Sequence, residues 1–170
     1  MKTLKRRRGE NKTDYGKRLS LLKGHSPRIA FRKSNRYVVA QYITSSEAQD
    51  KVIMGTTSKI LLKHGWPEDM NGSLKSLPAS YLTGFYLGKK MLEKKLSVPI
   101  VDLGMIRNVN KSRAFAFVKG IVDSGVKVKY EEASFPSEER IKGKNLKRDF
   151  SVIFAKVKKQ IDGIKNEGTK

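Results

Sequence analysis

The sequence predicts an α/β fold: one domain of β-β-β-α-β-α order, with helices packed on a mixed sheet. Three observations carry that expectation. The segments RIAFRK, RYVVAQYI and KVIMGTT follow one another within residues 28–57 and are rich in the β-branched and aromatic residues that suit a pleated surface. The apolar run VPIVDL comes only after a helical segment, which calls for a crossover and a parallel return of the fourth strand. A second helical segment closes the series near residue 124. The domain is expected to span residues 27–130, with a basic arm over 1–26 and a helical extension over 131–170.

In chain order, RIAFRK and RYVVAQYI form a hairpin. Its tight turn is expected at Ser34-Asn35, because Asn tolerates the positive φ of a two-residue turn. SSEAQD is the next connection and KVIMGTT the third strand. SKILLKH supplies one or two helical turns, with His64 capping their end near Gly65, where a His is electrostatically welcome. GWPEDMNGSLKSLP, punctuated by Pro67, Gly72 and Pro78, reads as a loop, with Trp66 plugging the edge of the core. From Ala79 to Leu96, Leu82, Phe85, Leu92 and Leu96 share one helical face, while Lys89, Lys90, Lys94 and Lys95 keep the other wet. Gly84 and Gly88 each cost about 0.8–1 kcal/mol relative to Ala in a helix, so their spacing implies close backbone packing on the sheet or on a partner.

The continuity of VPIVDL predicts a strand buried on both faces. The helix over 113–124 buries Ala114, Phe117, Val118, Ile121 and Val122, and Gly125 ends it. Pro136-Ser137 before Glu138-Glu139 starts a further helix. Phe150, Ile153, Phe154, Val157, Ile161 and Ile164 then draw the stripe of an amphipathic helix, with Lys156, Lys158, Lys159 and Lys165 off it. That helix docks on its own domain or on a neighbour.

Charge narrows the function. The 170 residues carry a net +21; residues 1–36 hold 13 Lys/Arg against 2 Asp/Glu, while 37–137 and 138–170 contribute +5 each. Self-repulsion of that size calls for a polyanionic partner, and its concentration in the first fifth of the chain points to nucleic acid. No apolar anchor accompanies the arm, so a membrane is not the expected partner. Arg6, Arg7, Arg8, Lys12, Lys17, Arg18 and Lys23 are the arm's candidate phosphate contacts, and Tyr15 offers a base or ribose a stacking surface. Tyr15, Leu19, Leu21 and Leu22 suggest that part of the arm folds back on the domain or becomes ordered on RNA.

Other chemistries lack their residues. Without cysteine there are no disulfides, thiol catalysis or zinc ribbons. His25 and His64 have no ligand-spaced carboxylate. The basic start is not followed by an apolar stretch, so no secretory leader is expected, and the protein is expected in the cytoplasm. GFYLGKK is a residue short of a P-loop and lies inside a helix. The element order matches ribonuclease-H-like nucleases, but RIAFRK places cations where a two-metal site needs a carboxylate. Glu93 and Asp102 do not complete one, and Asp102 is expected to cap its loop or pair with a cation. A binding protein is expected, with no metal or cofactor. A metal-dependent nuclease and a general nucleic-acid-compacting protein are the alternatives.

KTDYGKRLSLLKGHSPRIAFRKSNRYVVAQYI, HGW, PASYLTGFYLGKKML, VDLGMIRNVNKSRAFAFVKGIVDSGV and FPSEERIKG stand in one order between about Lys12 and Gly143. In these motifs the chain resembles the archaeal-type large-subunit ribosomal protein eighteen family. The resemblance implies a structural, non-catalytic protein that binds 5S rRNA and anchors it in the central protuberance. It further implies contact with 23S-type rRNA through the tails and with neighbouring ribosomal proteins, including the other 5S rRNA-binding protein. By position, the implied RNA-facing residues are Lys12, Tyr15, Lys17 and Arg18 of the arm and Arg28, Arg32, Lys33, Ser34, Asn35 and Arg36 of the hairpin. Arg107, Lys111 and Arg113 match the family's basic loop, although MIRNVNKSR lacks the proline and glycine frequent there. The helix starting near Arg113 offers free N–H groups to a further phosphate.

Overall fold

The computed structural model describes residues 3–146 and 149–163. Strands β1 (Arg28–Lys33), β2 (Val38–Ser46) and β3 (Gln49–Thr57) form an antiparallel meander, and β4 (Ile100–Asp102) pairs parallel with β1. The sheet order is β3-β2-β1-β4, as the meander and crossover require. Alternation along β1 sends Ile29 and Phe31 into the core and turns Arg28, Ala30 and Arg32 to the opposite face.

Two details of the sheet differ from the sequence expectation. Lys33 pairs with Val38, so the first hairpin closes through four residues, Ser34 to Tyr37, rather than two. The Ser34 hydroxyl holds that loop, donating to the Tyr37 carbonyl and accepting from the Tyr37 amide, both at 2.9 Å. The two-residue left-handed turn occurs instead at Glu47-Ala48, φ 48° and 64°, between the paired Ser46 and Gln49. Neither residue is one that advertises such a turn. The second difference is β4, which is an edge strand with Ile100 43% exposed, not one buried on both faces.

In the arm, α1 (Arg6–Gly9) and α2 (Tyr15–Lys23) precede the sheet and bury no residue. After β3 come the single turn α3 (Ile60–Lys63) and a 3₁₀ stretch over Glu68–Ser73 within the expected loop. Trp66 plugs the core as expected, its ring 4.6 Å from that of Phe150 and its Nε1–H donating to the Met70 carbonyl.

Helix α4 (Leu77–Glu93) begins at Ser76, whose hydroxyl accepts from the Ala79 amide, with Pro78 in the first turn, where its missing N–H costs nothing. It is buried on all sides from Pro78 to Gly88, because the sheet and α5 (Arg113–Asp123) share one flank and the C-terminal elements take the other. The one-sided stripe is therefore corrected: Leu92 is 46% exposed and the wet face starts only at Lys89. The glycines pack α4 on α5 rather than on the sheet. A Cβ on Gly84 would strike the Phe117 carbonyl, and one on Gly120 would strike that of Tyr81. Only glycine allows the two backbones to approach so closely.

Two short helices finish the described chain, α6 (Glu138–Lys142) and α7 (Ser151–Asp162). Phe154, Val157 and Ile161 of α7 join Trp66, Leu82 and Phe85 in the helical half of the core. Full burial of each such side chain contributes roughly 1.5–3 kcal/mol. The expected docking of this helix is thus on its own chain; Ile164 and Lys165 lie outside the described residues. Tyr81 ties the layer together: its hydroxyl donates to Asp123 Oδ2 at 2.7 Å and accepts from Lys158 Nζ at 3.0 Å. Burial, then the Asp123 carboxylate, drives its ionisation far above the ordinary tyrosine range.

Candidate nucleic-acid interface

The arm is built by short-range capping and then held to the sheet by charge. Asp14 caps α2, accepting from the Gly16 and Lys17 amides at 3.1 and 3.2 Å. The Lys17 amide, helped by the Arg8 guanidinium 2.8 Å away, holds the Asp14 carboxyl below its ordinary value. Arg8 also reaches Met105 Sδ at 3.0 Å, in the loop after β4. Arg18 meets Asp50 at 3.0 Å. The arm therefore folds back on the domain.

Asp50 sits opposite Ser45 across the β2–β3 ladder and is shared. Arg28, 5% exposed, approaches it at 2.7 Å and donates to Ser45 Oγ at 2.8 Å. Burial pushes the Asp50 carboxyl up, but the hydrogen bonds from Arg28 and Ser45 and the two arginine charges outweigh it and hold it low. Arg32 is likewise engaged. It contacts Asp102 Oδ2 at 2.6 Å and donates to the carbonyls of Asp102 and Phe31. Asp102 does both things expected of it, since its Oδ1 accepts from the Gly104 amide at 2.8 Å. Gly104, at φ +62°, lies so close under Arg32 that a Cβ would come 2.8 Å from the guanidinium carbon.

Two cation-lined clefts flank β1. A cleft of ≈ 140 Å³ brings together Arg7, Lys12, Lys17, Arg18, Arg28 and Arg32, with Asp14 and Asp102 in its wall. A second, of ≈ 540 Å³, gathers Lys33, Arg107, Lys111 and Arg113 at the start of α5. Arg6, Tyr15, Lys23, Ser34, Asn35 and Arg36 line neither cleft; all six are exposed. Lys5 stands 4.6 Å over the Tyr15 ring and covers one face of it. In the second cleft, Ser112 occupies the cap position of α5 without making a cap bond, and its buried hydroxyl has no partner. The first amides of α5 have no intrahelical acceptor, so this end presents donors and positive potential together.

The sequence reading missed Arg140, which α6 swings into the second cleft, and Asp50, the hub of the arm contacts. Neither has a local signal. His64 is where it was expected, at the end of α3, but its charge reading is corrected. Burial, then Lys90 and Lys63, lower its pKa, so the helix end does not favour its charged form on balance. Among the described residues, no three His, Asp or Glu side chains cluster to hold a metal ion, and no helix is long and apolar enough to cross a membrane.

A mixed α/β domain whose exposed cations gather in clefts beside an arm defines a polyanion-binding protein. A family model for the ribosomal large subunit proteins 60S L5 and 50S L18 matches residues 1–99. The large ribosomal subunit protein uL18 of Korarchaeum cryptofilum is 40% identical over 141 residues, 83% of this chain and 70% of that protein. The uL18 of Methanoculleus marisnigri is 40% identical over 141 residues, covering 83% and 78%, and that of Caldivirga maquilingensis 39% over 142, covering 83% and 67%. The chain belongs to this L5/L18 family of large-subunit ribosomal proteins. Its role is structural and not enzymatic, in the cytoplasmic large subunit.

Proposed function

We propose that the protein binds 5S rRNA and anchors it in the central protuberance of the large subunit, with the arm, the hairpin loop and the loop before α5 as its adhesive surfaces. The observation that carries this reading is the pair of clefts that flank β1 and collect most of the candidate cations. Within that set the labour divides. Lys17, Lys33, Arg107, Lys111 and Arg113, with Arg36 outside the clefts and Lys12 once it leaves its 2.7 Å pair with Glu10, are exposed and meet phosphates. Arg28, Arg18 and Arg32 build the surface they lie in, because their guanidiniums are already held by Asp50 and Asp102. A phosphate at the start of α5 takes the free amides and gives the Ser112 hydroxyl a partner. Such contacts read RNA shape more than base sequence. The tails reach 23S-type rRNA, and neighbouring ribosomal proteins, the other 5S rRNA-binding protein among them, complete the setting.

Competition binding tests this. 5S rRNA is expected to displace a random RNA duplex, and Arg36→Ala to weaken 5S binding by roughly 1–3 kcal/mol, the range of a charge-assisted contact, without lowering the melting temperature. Equal affinity for the random duplex would leave a general compacting protein. Unchanged affinity in Arg36→Ala together with Lys17→Ala would remove the arm and hairpin from the interface.

A further inference from the structure

A third cleft shares no lining residue with the other two and abuts the hairpin loop only through Lys59, which stands over Tyr37. It is ≈ 530 Å³, runs between β3, α3 and α4, and carries Lys59, Lys63, Lys90 and Lys94 on its walls with no carboxylate among its lining residues. We propose that this groove is a second RNA site, which takes a phosphodiester backbone separately from the arm cleft.

Lys63, Lys90 and Lys94 suit the C-terminal ends of their helices, but the four lysines together crowd like charge. Lys59 with Lys63, and Lys90 with Lys94, are like charges at i,i+4, a spacing that destabilises helices. None of them enters an ion pair among the described residues, although Lys89, beside them on α4, does so with Asp162. Two are pre-positioned by rings: Lys59 Nζ stands 4.6 Å over Tyr37, and Lys90 Nζ 4.9 Å over Tyr86. A cation–π contact fixes an ammonium without neutralising it, so the charge stays available to an anion. His64, its ring 5.5 Å from that of Tyr86, sits beside this field: burial first, and then Lys90 and Lys63, lower its pKa.

The lining also says which part of an RNA fits. The ammoniums cover the ring faces on which a base would stack, so the groove addresses phosphate and ribose rather than bases. Thr56, Thr57 and Gln41 add neutral hydrogen-bonding groups beside the cations. Every cation is a lysine, a compact point charge that binds phosphate without fixing its orientation. The groove borders β3, one edge of the sheet, while the arm cleft borders β4, the other edge. Three strand spacings, about 14 Å, separate the two edges. A chain gripping RNA at both would join two RNA segments, whichever molecule lies on the arm.

The test uses the full chain with a short A-form RNA duplex of unrelated sequence, and a poly-glutamate peptide as the protein-like polyanion. The His64 ring, followed by NMR through its titration, reports from beside the groove, where it contacts Tyr86. Duplex binding is expected to raise the His64 pKa in the parent and in a K12Q/K17Q/R36Q arm variant alike. In K59Q/K63Q/K90Q/K94Q, duplex affinity is expected to fall roughly tenfold or more, with the log–log salt dependence about 3 units shallower for four lost contacts. Single Lys63→Gln and Lys94→Gln variants, at exposed positions, serve should the quadruple variant fold poorly, each with a slope about 0.7–0.9 shallower for its one lost contact. Unchanged affinity and salt slope would overturn the inference. So would a His64 response to poly-glutamate but not to RNA, which marks a protein-docking groove. A response lost in the arm variant overturns it too, because the groove would then be part of one continuous RNA surface; 5S recognition itself is untouched by any of these outcomes.

Discussion

The two ends of the chain are both basic and both helical, yet they are held by opposite means. Helix α7 sinks Phe154, Val157 and Ile161 into the core beside Trp66. Helix α2 buries no residue and leaves Leu19 55% exposed; it is tied by Asp14, Arg8 and Arg18. Apolar burial commits a segment to the fold at any ionic strength. Exposed ion pairs are worth little and are screened by salt, so the arm is held only loosely against the sheet. The chain thus has one end that builds the domain and one that the domain merely positions.

The largest expected effect would break that contrast if it failed. Phe154→Ala should cost about 3–5 kcal/mol in urea unfolding, as a large-to-small change in a packed core does. Deleting residues 1–24 should shift the same curve by no more than about 0.5 kcal/mol, since neither arm helix buries a residue. An arm deletion as costly as Phe154→Ala would show that α2 belongs to the folding unit.

A smaller effect sharpens the boundary between arm and sheet. Asp50→Asn leaves the buried Arg28 without its carboxylate and should cost about 1–2 kcal/mol, less than a fully buried pair, because 26% of the Asp50 side chain is exposed. The sign with pH follows. The Asp50 pKa is lowered on folding, so its contribution is present above the ordinary 3.8 and is lost as pH falls through the folded value. The gap between parent and Asp50→Asn should therefore close below about pH 3.8, and a gap that persists there assigns the loss to packing instead.

The smallest effect is local. Asp14→Ala, or 1 M salt, should release hydrogen-exchange protection in the α2 amides and leave those of α7 unchanged. Global stability should barely move. Protection lost from both helices together would mean that they open as one unit.

Much of this architecture was legible in the chain. RIAFRK became β1 residue for residue, and the helix expected over 113–124 appears as Arg113–Asp123. The legible elements have a period or a cap that lies within a dozen residues. The failures share a cause as well. Glu47-Ala48 takes the left-handed turn because strand pairing on both sides imposes it, against the preference of both residues. VPIVDL is apolar, yet β4 ends up at an edge, since position in a sheet is set by how many strands pair beyond it. For the interface, the candidate cations were all visible as residue types. Their division into free and engaged was not.

From the sequence alone came the order of strands and helices, the backbone approach demanded by Gly84, and a charge too positive to stand without a polyanion. These depend on neighbours along the chain or on sums over it. The tertiary structure alone decided that Arg28 and Arg32 are consumed by Asp50 and Asp102, and that Arg140 joins Lys33 in one cleft. It alone brought Lys63 and Lys90 together around His64. Arg32 and Asp102 stand 70 positions apart and touch at 2.6 Å. Coulomb attraction falls with distance in space, not along the chain, so the availability of a charge becomes defined only when the fold has chosen its neighbours.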